Sequence, residues 1–213
     1  MEEAIRRMLR GFRHFRKEHF DDTGLFDELR HGQSPNALVV ACSDSRVDPA
    51  LLTRSAPGDI FVIRNVANLI PAYDPDGRCH GVSAALEYAV RHLHVEHIIV
   101  LGHSDCGGIK ALMSEKRDEE QSEFIRRWLS VAEEARTAVL ERMPDASMET
   151  RRHACEEAAV TLSLENLMTF PWVRERAEAG SLKLHGWHFD LNHGLLRHYD
   201  ADSGEFRLFP DDV

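Results

Sequence analysis

The sequence predicts an α/β fold: a mostly parallel β-sheet flanked by helices, with an N-terminal helical arm and an antiparallel hairpin at the C-terminal edge. Three observations predict it. Continuous apolar runs of strand length at residues 37–41, 60–63 and 98–101 have the pattern of strands buried on both faces, as in a parallel sheet. Amphipathic helical patterns stand between and after these runs. Near the C-terminus, residues 182–190 and 195–199 alternate instead and flank Asn192-His193-Gly194, as the two arms of a hairpin do.

The elements follow in order. Residues 1–19 are expected to be helical, with Ile5, Met8, Leu9, Phe12 and Phe15 on one side and Arg6, Arg10, Arg13 and Lys17 on others. So apolar an arm is expected to pack, on a partner subunit if not on its own chain. A second helix over 22–31 is expected to start at Asp21 or Asp22 and stop at Gly32. The first strand follows a Gln33-Ser34-Pro35-Asn36 loop, and Asp48-Pro49 opens a short helix to about Arg54. After Ala56-Pro57-Gly58-Asp59 comes the second strand, ending in Arg64-Asn65. Residues 81–94 carry Val82, Ala85, Leu86, Ala89, Val90 and Leu93 on one helical stripe and lead into the third strand, which makes a crossover unit. Further helices are expected at 107–113, 114–142, 147–168 and 171–179, broken by Pro144 and ended by Gly180. Without repeat, linker or low-complexity tract, residues 1–213 are expected to form one domain: an arm (1–35), a core (36–113), and a helical region with the C-terminal strands (114–213).

Composition narrows the function. A 213-residue chain that is 43% hydrophobic and 29% charged has the make-up of a soluble globular protein. Its net charge of −10 argues against nucleic-acid or anionic-membrane binding, and no apolar stretch approaches a membrane span. The basic N-terminus has no apolar block of a secretory signal, and its Glu residues argue against a transit peptide, so a cytoplasmic location is expected. Four cysteines (Cys42, Cys79, Cys106 and Cys155) are too few for a disulfide framework at this length. Cys79 and Cys155 have no partner motif.

The chemistry gathers at two strand ends. Cys42 closes the first run, with Asp44 and Arg46 just beyond it; His103 follows the third, with Cys106 three residues on. In open α/β sheets, ligands bind outside the carboxyl ends of the strands, so the two clusters can meet. Cys42, His103 and Cys106 are three candidate zinc ligands. A structural zinc takes a fourth Cys or His, whereas three protein ligands leave a position for water.

The segments Cys42-Ser43-Asp44-Ser45-Arg46, Arg64-Asn65-x-Ala67-Asn68, Glu87-Tyr88-Ala89-Val90 and Gly102-His103-Ser104-x-Cys106-Gly107-Gly108, in that order, resemble the β-class carbonic anhydrases. The likeness runs from about Gln33 to Met113 and resumes at Leu184-His185-Gly186-Trp187. It implies reversible hydration of CO₂ to bicarbonate by zinc hydroxide, with one Zn²⁺ per chain on Cys42, His103 and Cys106. It implies that Asp44 accepts a hydrogen bond from the zinc-bound hydroxide and that Arg46 clamps Asp44. It places Gln33 as a donor to substrate, Phe61, Val66 and Tyr88 around an apolar CO₂ pocket, and the Gly107 N–H near the zinc-bound group. The assembly it implies is a homodimer, often paired into a tetramer, with the N-terminal helix embracing the neighbour.

The likeness also has departures. Some bacterial members carry a bicarbonate side pocket of Trp, Arg and Tyr. Arg64 holds the Arg position here, while Val39 and Phe189 stand at the other two. The plant-like, non-bicarbonate-regulated type is therefore expected. Cys79-His80-Gly81 stands where relatives often have a Gly-Gly pair. Carbonyl sulfide or carbon disulfide hydrolysis on the same scaffold remains an alternative, as does a non-catalytic zinc-binding protein. The latter would be expected to lack Asp44 or Arg46. A Cys/His nucleophilic enzyme is disfavoured, because no separate base or oxyanion motif accompanies the thiols.

Overall fold

The structure is a computed structural model that describes residues 2–21, 24–115 and 123–210. The chain divides into two compact units, Met1–Ser34 and Pro35–Val213. In the first, α1 (Glu3–Arg16) runs into a π-helical turn at Lys17–Asp21, and α2 spans Leu25–Leu29. The Phe20 and Phe26 rings stack with centroids 4.1 Å apart and fold the two helices together, with Phe15 edge-on to both. The second helix is shorter than expected, and its N-cap is Gly24 in a left-handed conformation (φ 64°); of the two expected starts, Asp21 ends the π-helical turn and Asp22 lies outside the described residues. No residue of α1 is buried: Ile5, Met8, Leu9 and Phe12 stay exposed along one side.

The second unit contains a six-stranded sheet. Its strands are β1 (Ala37–Cys42), β2 (Ile60–Asn65), β3 (His97–His103), β4 (Lys183–Asp190), β5 (Leu195–Asp200) and β6 (Glu205–Leu208). They lie in the order β2-β1-β3-β4-β5-β6, and the first four are mutually parallel. The last two add antiparallel pairs. The helices are α3 (Pro49–Thr53), α4 (Gly81–Glu87), α5 (Gly107–Leu112), α6 (Glu123–Leu129), α7 (Glu133–Arg142), α8 (Met148–Leu167) and α9 (Pro171–Glu178).

Period-two alternation divides β1 and β3 between two faces. Leu38, Val40, Ile98 and Val100 join one core with Leu86, Val90 and Phe170, while Val39, Ala41, Ile99 and Leu101 pack with Trp187 and Phe189 on the other. Both faces are buried, as the continuous apolar runs require. Three expectations are corrected. The 60–63 run is not a buried strand: β2 is the sheet edge, with Val62 38% exposed. The 182–190 segment is more than one arm of a hairpin, because β4 pairs in parallel with β3 on its other side. The helical pattern over 114–142 is broken among the described residues into α6, a 3₁₀ turn at Ser130–Ala132, and α7.

Two glycines bring α8 close to the sheet. A Cβ on Gly102 would lie 2.6 Å from Val160 Cγ2, and one on Gly186 would lie 3.0 Å from both Leu164 Cδ1 and Val160 Cγ1. Only a bare backbone on β3 and β4 lets the helix settle there.

Candidate metal centre

Strands β1 and β3 are parallel neighbours, with Ala41 opposite Leu101, so their carboxyl ends open on the same side. Cys42 ends β1, His103 ends β3, and Cys106 caps α5 from the loop between. Asp105 turns that loop in the left-handed region at φ 57°. Ser104 ties it to the end of β4, its N–H donating to Phe189 O (3.0 Å) and its hydroxyl accepting from Leu191 N (2.8 Å).

One ligand atom from each of Cys42, His103 and Cys106 lies within 4.8 Å of the others, and all three residues are buried. The two sulfurs are 3.9 Å apart. Two thiolates sharing a tetrahedral zinc at ~2.3 Å would sit roughly 3.8 Å apart. His103 Nδ1 donates to the Ser104 carbonyl at 2.8 Å, which leaves Nε2 as the acceptor. That Nε2 is buried and has no hydrogen-bond partner. A buried lone pair without a donor is costly, and a cation among these atoms removes the cost. The residues fit zinc.

The thiols make the same argument. Cys42 is drawn down to about 4, chiefly by the Cys106 thiol, and also by His103 and the backbone N–H groups of Asp44 and Ala67, against the effect of burial. Cys106 is pushed far above the ordinary thiol value, first by Cys42 and then by burial. Two such groups ionise together only when a cation offsets their repulsion.

Beside the thiols stands Asp44. Arg46 grips it with both prongs, Nε to Oδ1 at 2.9 Å and Nη2 to Oδ2 at 2.8 Å, while the Arg46 backbone N–H adds 3.0 Å to Oδ1. The guanidinium also reaches Asp105 O at 3.1 Å. Held this way, the Asp44 carboxyl lies well below the usual carboxylate range, the Arg46 side chain being the chief cause.

A family model for carbonic anhydrase matches residues 37–196. Beta carbonic anhydrase 3 of Arabidopsis thaliana is 37% identical over 203 residues, covering 94% of this chain and 78% of that protein. This chain belongs to the β-carbonic anhydrase family. Among solved structures, the β-carbonic anhydrase CcaA superposes with a TM-score of 0.91 at 35% identity, covering all of this chain and 95% of that one. A tetrameric β-carbonic anhydrase from Sordaria macrospora gives 0.81 at 29% identity, covering 92% of this chain and 97% of that one. β-Carbonic anhydrases are zinc lyases that hydrate CO₂, and Cys42, His103 and Cys106 are the group here that could hold their metal.

The residues expected around a β-carbonic anhydrase substrate are only partly brought together. Val66 lines a cavity of about 660 Å³ with Asn65, Pro71, Cys79, His80 and Trp128. Phe61 and Tyr88 meet with ring centroids 6.0 Å apart, but neither lines that cavity. Tyr88 is 47% exposed. Gln33 belongs to the Met1–Ser34 unit. Gly107 has open space where a Cβ would be, whereas one on Gly108 would lie 2.8 Å from Val66 Cγ1 and 2.9 Å from Ala67 Cβ. His80 is paired with Asp76 at 2.6 Å.

The supporting roles of three residues escaped the sequence reading, which had Arg64 in a family segment and Asp48 at a helix start. Arg64 braces the Asp44 loop, donating to Cys42 O (3.0 Å), Asp44 O (2.7 Å) and Asp48 Oδ2 (2.8 Å). Asp48 also caps α3 through Ala50 N and Leu51 N. The Asp48-Pro49 pair gave the cap away but not the partner. Glu156, in mid-α8, is 5% exposed and accepts from Cys106 N at 3.1 Å. Burial would raise its carboxyl, yet the neighbouring imidazoles of His153 and His188 and that N–H bring it below its ordinary value. Nothing in a charged helical stretch signals such a residue.

Proposed function

We propose that this chain hydrates CO₂ reversibly, with one zinc per chain held by Cys42, His103 and Cys106. The observation that carries this is the two-pronged grip of Arg46 on Asp44 beside a buried S, N, S donor set. Bound zinc supplies Lewis acidity that makes hydroxide available from water near neutral pH. Asp44, being ionised, only accepts hydrogen bonds; it takes that of the attacking hydroxyl and turns a lone pair toward the CO₂ carbon. Arg46 keeps Asp44 at this task and off the metal, which a lysine with one point charge does less well. Phe61, Val66 and Tyr88 offer apolar surface to CO₂, and the Gly107 N–H is a donor for the oxygens of substrate and product.

The working unit is proposed to be a homodimer or a pair of dimers. Leu51 and Leu52 on α3 and Val62 on edge strand β2 are exposed, and the apolar side of α1 is uncovered. A second copy covering them leaves fewer exposed apolar groups and one fewer open sheet edge. A bicarbonate switch is not proposed. Arg64 is committed to Cys42, Asp44 and Asp48, and Val39 and Phe189 belong to one apolar cluster.

Stopped-flow CO₂ hydration with zinc analysis, run beside a carbonyl sulfide assay, tests the reading. Asp44→Ala is expected to keep zinc and lose about 10²-fold or more in kcat/KM, and Cys106→Ala to lose zinc. Full activity of either variant, or turnover of carbonyl sulfide in place of CO₂, would overturn it.

A further inference from the structure

Cys106 has a structural difficulty. It occupies the N-cap of α5, where a side chain ordinarily accepts from the first helical amides, but its thiol makes no such bond. Its peptide N–H points inward instead, to Glu156 Oε1 at 3.1 Å. The other oxygen, Oε2, faces two imidazoles, His153 Nδ1 at 3.4 Å and His188 Nε2 at 3.6 Å. His188 is fully buried.

The group Glu156, His153 and His188 has the make-up of a metal site in its own right, but Arg197 argues against that use. Its Nη2 lies 3.0 Å from His153 Nε2, and its Nη1 is anchored on Glu157 at 2.9 Å. A guanidinium only donates, so Nε2 must be the acceptor and the ring proton sits on Nδ1, facing Glu156. A cation on Nδ1 would put the proton on Nε2, against the guanidinium. The carboxylate therefore accepts the Cys106 N–H through Oε1, while the imidazoles of His153 on the same helix and of His188 on β4 face Oε2.

We propose that Glu156 is a positioning residue for the metal centre: it holds the Cys106 peptide so that Sγ faces Cys42 and His103, while His188 and His153, the latter held by Arg197, face its other oxygen. The inference rests on the zinc reading above. The bare backbone of Gly102, which lets α8 approach β3, brings the carboxylate within reach. A free cysteine loop would have to be ordered each time a metal binds, whereas this one is ordered beforehand by a charge-assisted hydrogen bond.

The test compares the zinc-loaded enzyme with Glu156→Ala, Glu156→Gln and His153→Ala. It reads zinc release to a chelator and the thiolate charge-transfer absorption of the cobalt-substituted proteins. Glu156→Ala is expected to release zinc about 10- to 100-fold faster, with a weaker charge-transfer band. Glu156→Gln keeps an acceptor for the Cys106 N–H but turns a donor toward the Nδ1–H of His153, so it should recover part of the retention. His153 is half-exposed, so its replacement should fold even if the Ala variant does not, and should release zinc several-fold faster. Equal impairment of the Gln and Ala variants, wild-type retention in Glu156→Ala, or wild-type retention in His153→Ala would overturn the proposal, as would a second tightly held zinc per wild-type chain. Absence of any zinc from the wild type would instead strike the metal-centre reading itself.

Discussion

A carboxylate two residues beyond a candidate metal ligand would, with the ion bound, compete with water for it. At Asp44 the outcome rests on Arg46, whose planar fork satisfies both oxygens while its backbone N–H adds a third bond. Arg46→Lys keeps the charge and loses the fork. It is expected to retain zinc while CO₂ hydration falls at least ~10-fold, since a lysine cannot fix both oxygens. Arg46→Met probes the same pair through stability. Asp44 is depressed in the folded state, so its contribution is present above the unfolded value of 3.8 and is lost as pH falls through the folded value, which lies well below that. The stability gap between wild type and Arg46→Met, measured by urea unfolding, is expected to be constant from pH 5 to 8. It should begin to narrow below about pH 4. A gap that closed near neutrality would mean that another group holds Arg46.

At the scale of elements, the site depends on how closely backbones approach. The start of α5 is pressed against the Val66–Asn68 turn, where Ala67 and Asn68 are left-handed and Asn65 clasps Leu69 with paired 2.9 Å bonds. Adjacent glycines in α5 are therefore not equivalent. Gly108→Ala puts a methyl against Val66 and Ala67 and is expected to cost about 1–3 kcal/mol and to loosen Cys106. Gly107→Ala meets open space and should stay within ~0.5 kcal/mol. Thermal unfolding of the two variants separates these outcomes. The sequence motif shows both glycines side by side; only the packing of α5 on the turn makes Gly108 a steric requirement and leaves Gly107 free of one. Strands β1 and β3 were readable because burial on both faces leaves an unbroken apolar run. Strand β6 was missed because Glu205–Leu208 is short and mostly exposed, and its one inward residue, Phe206, carries no pattern by itself. β4 hid its parallel partner because an alternating strand does not show which neighbours it pairs with.

For the whole molecule, metal and fold are linked. The buried donors Cys42, His103 and Cys106 join segments far apart in sequence, so an ion that binds only the folded chain stabilises all of it. Stripping zinc is expected to lower the melting temperature by roughly 10 °C, taking ~4 kcal/mol at a thousand-fold excess of free zinc over its Kd and ~2–4 °C per kcal/mol. Thiol labelling should follow the same order. Cys79 is exposed and should react in the loaded protein. Once the ion is gone, Cys42, drawn down to about 4, should react ahead of Cys106, which Cys42 and burial push up. Cys155 is fully buried in α8, and burial pushes it up to about 12, so it should react only on unfolding. Early labelling of Cys155 would show that α8 opens before the rest.

The sequence by itself determined which atoms are on offer: two thiols and an imidazole at strand ends, an acid and its guanidinium beside the first of them, and the order of segments that marks the family. Those follow from local patterns, which neighbouring residues carry along the chain. Only the tertiary structure decided that the sulfurs stand 3.9 Å apart, that His103 turns its free nitrogen inward, that Arg64 braces the loop of Asp44, and that one carboxylate from a distant helix holds the Cys106 peptide. Distance, tautomer and burial are set by packing between segments remote in sequence, and packing leaves no trace in the order of residues until the backbone closes on itself.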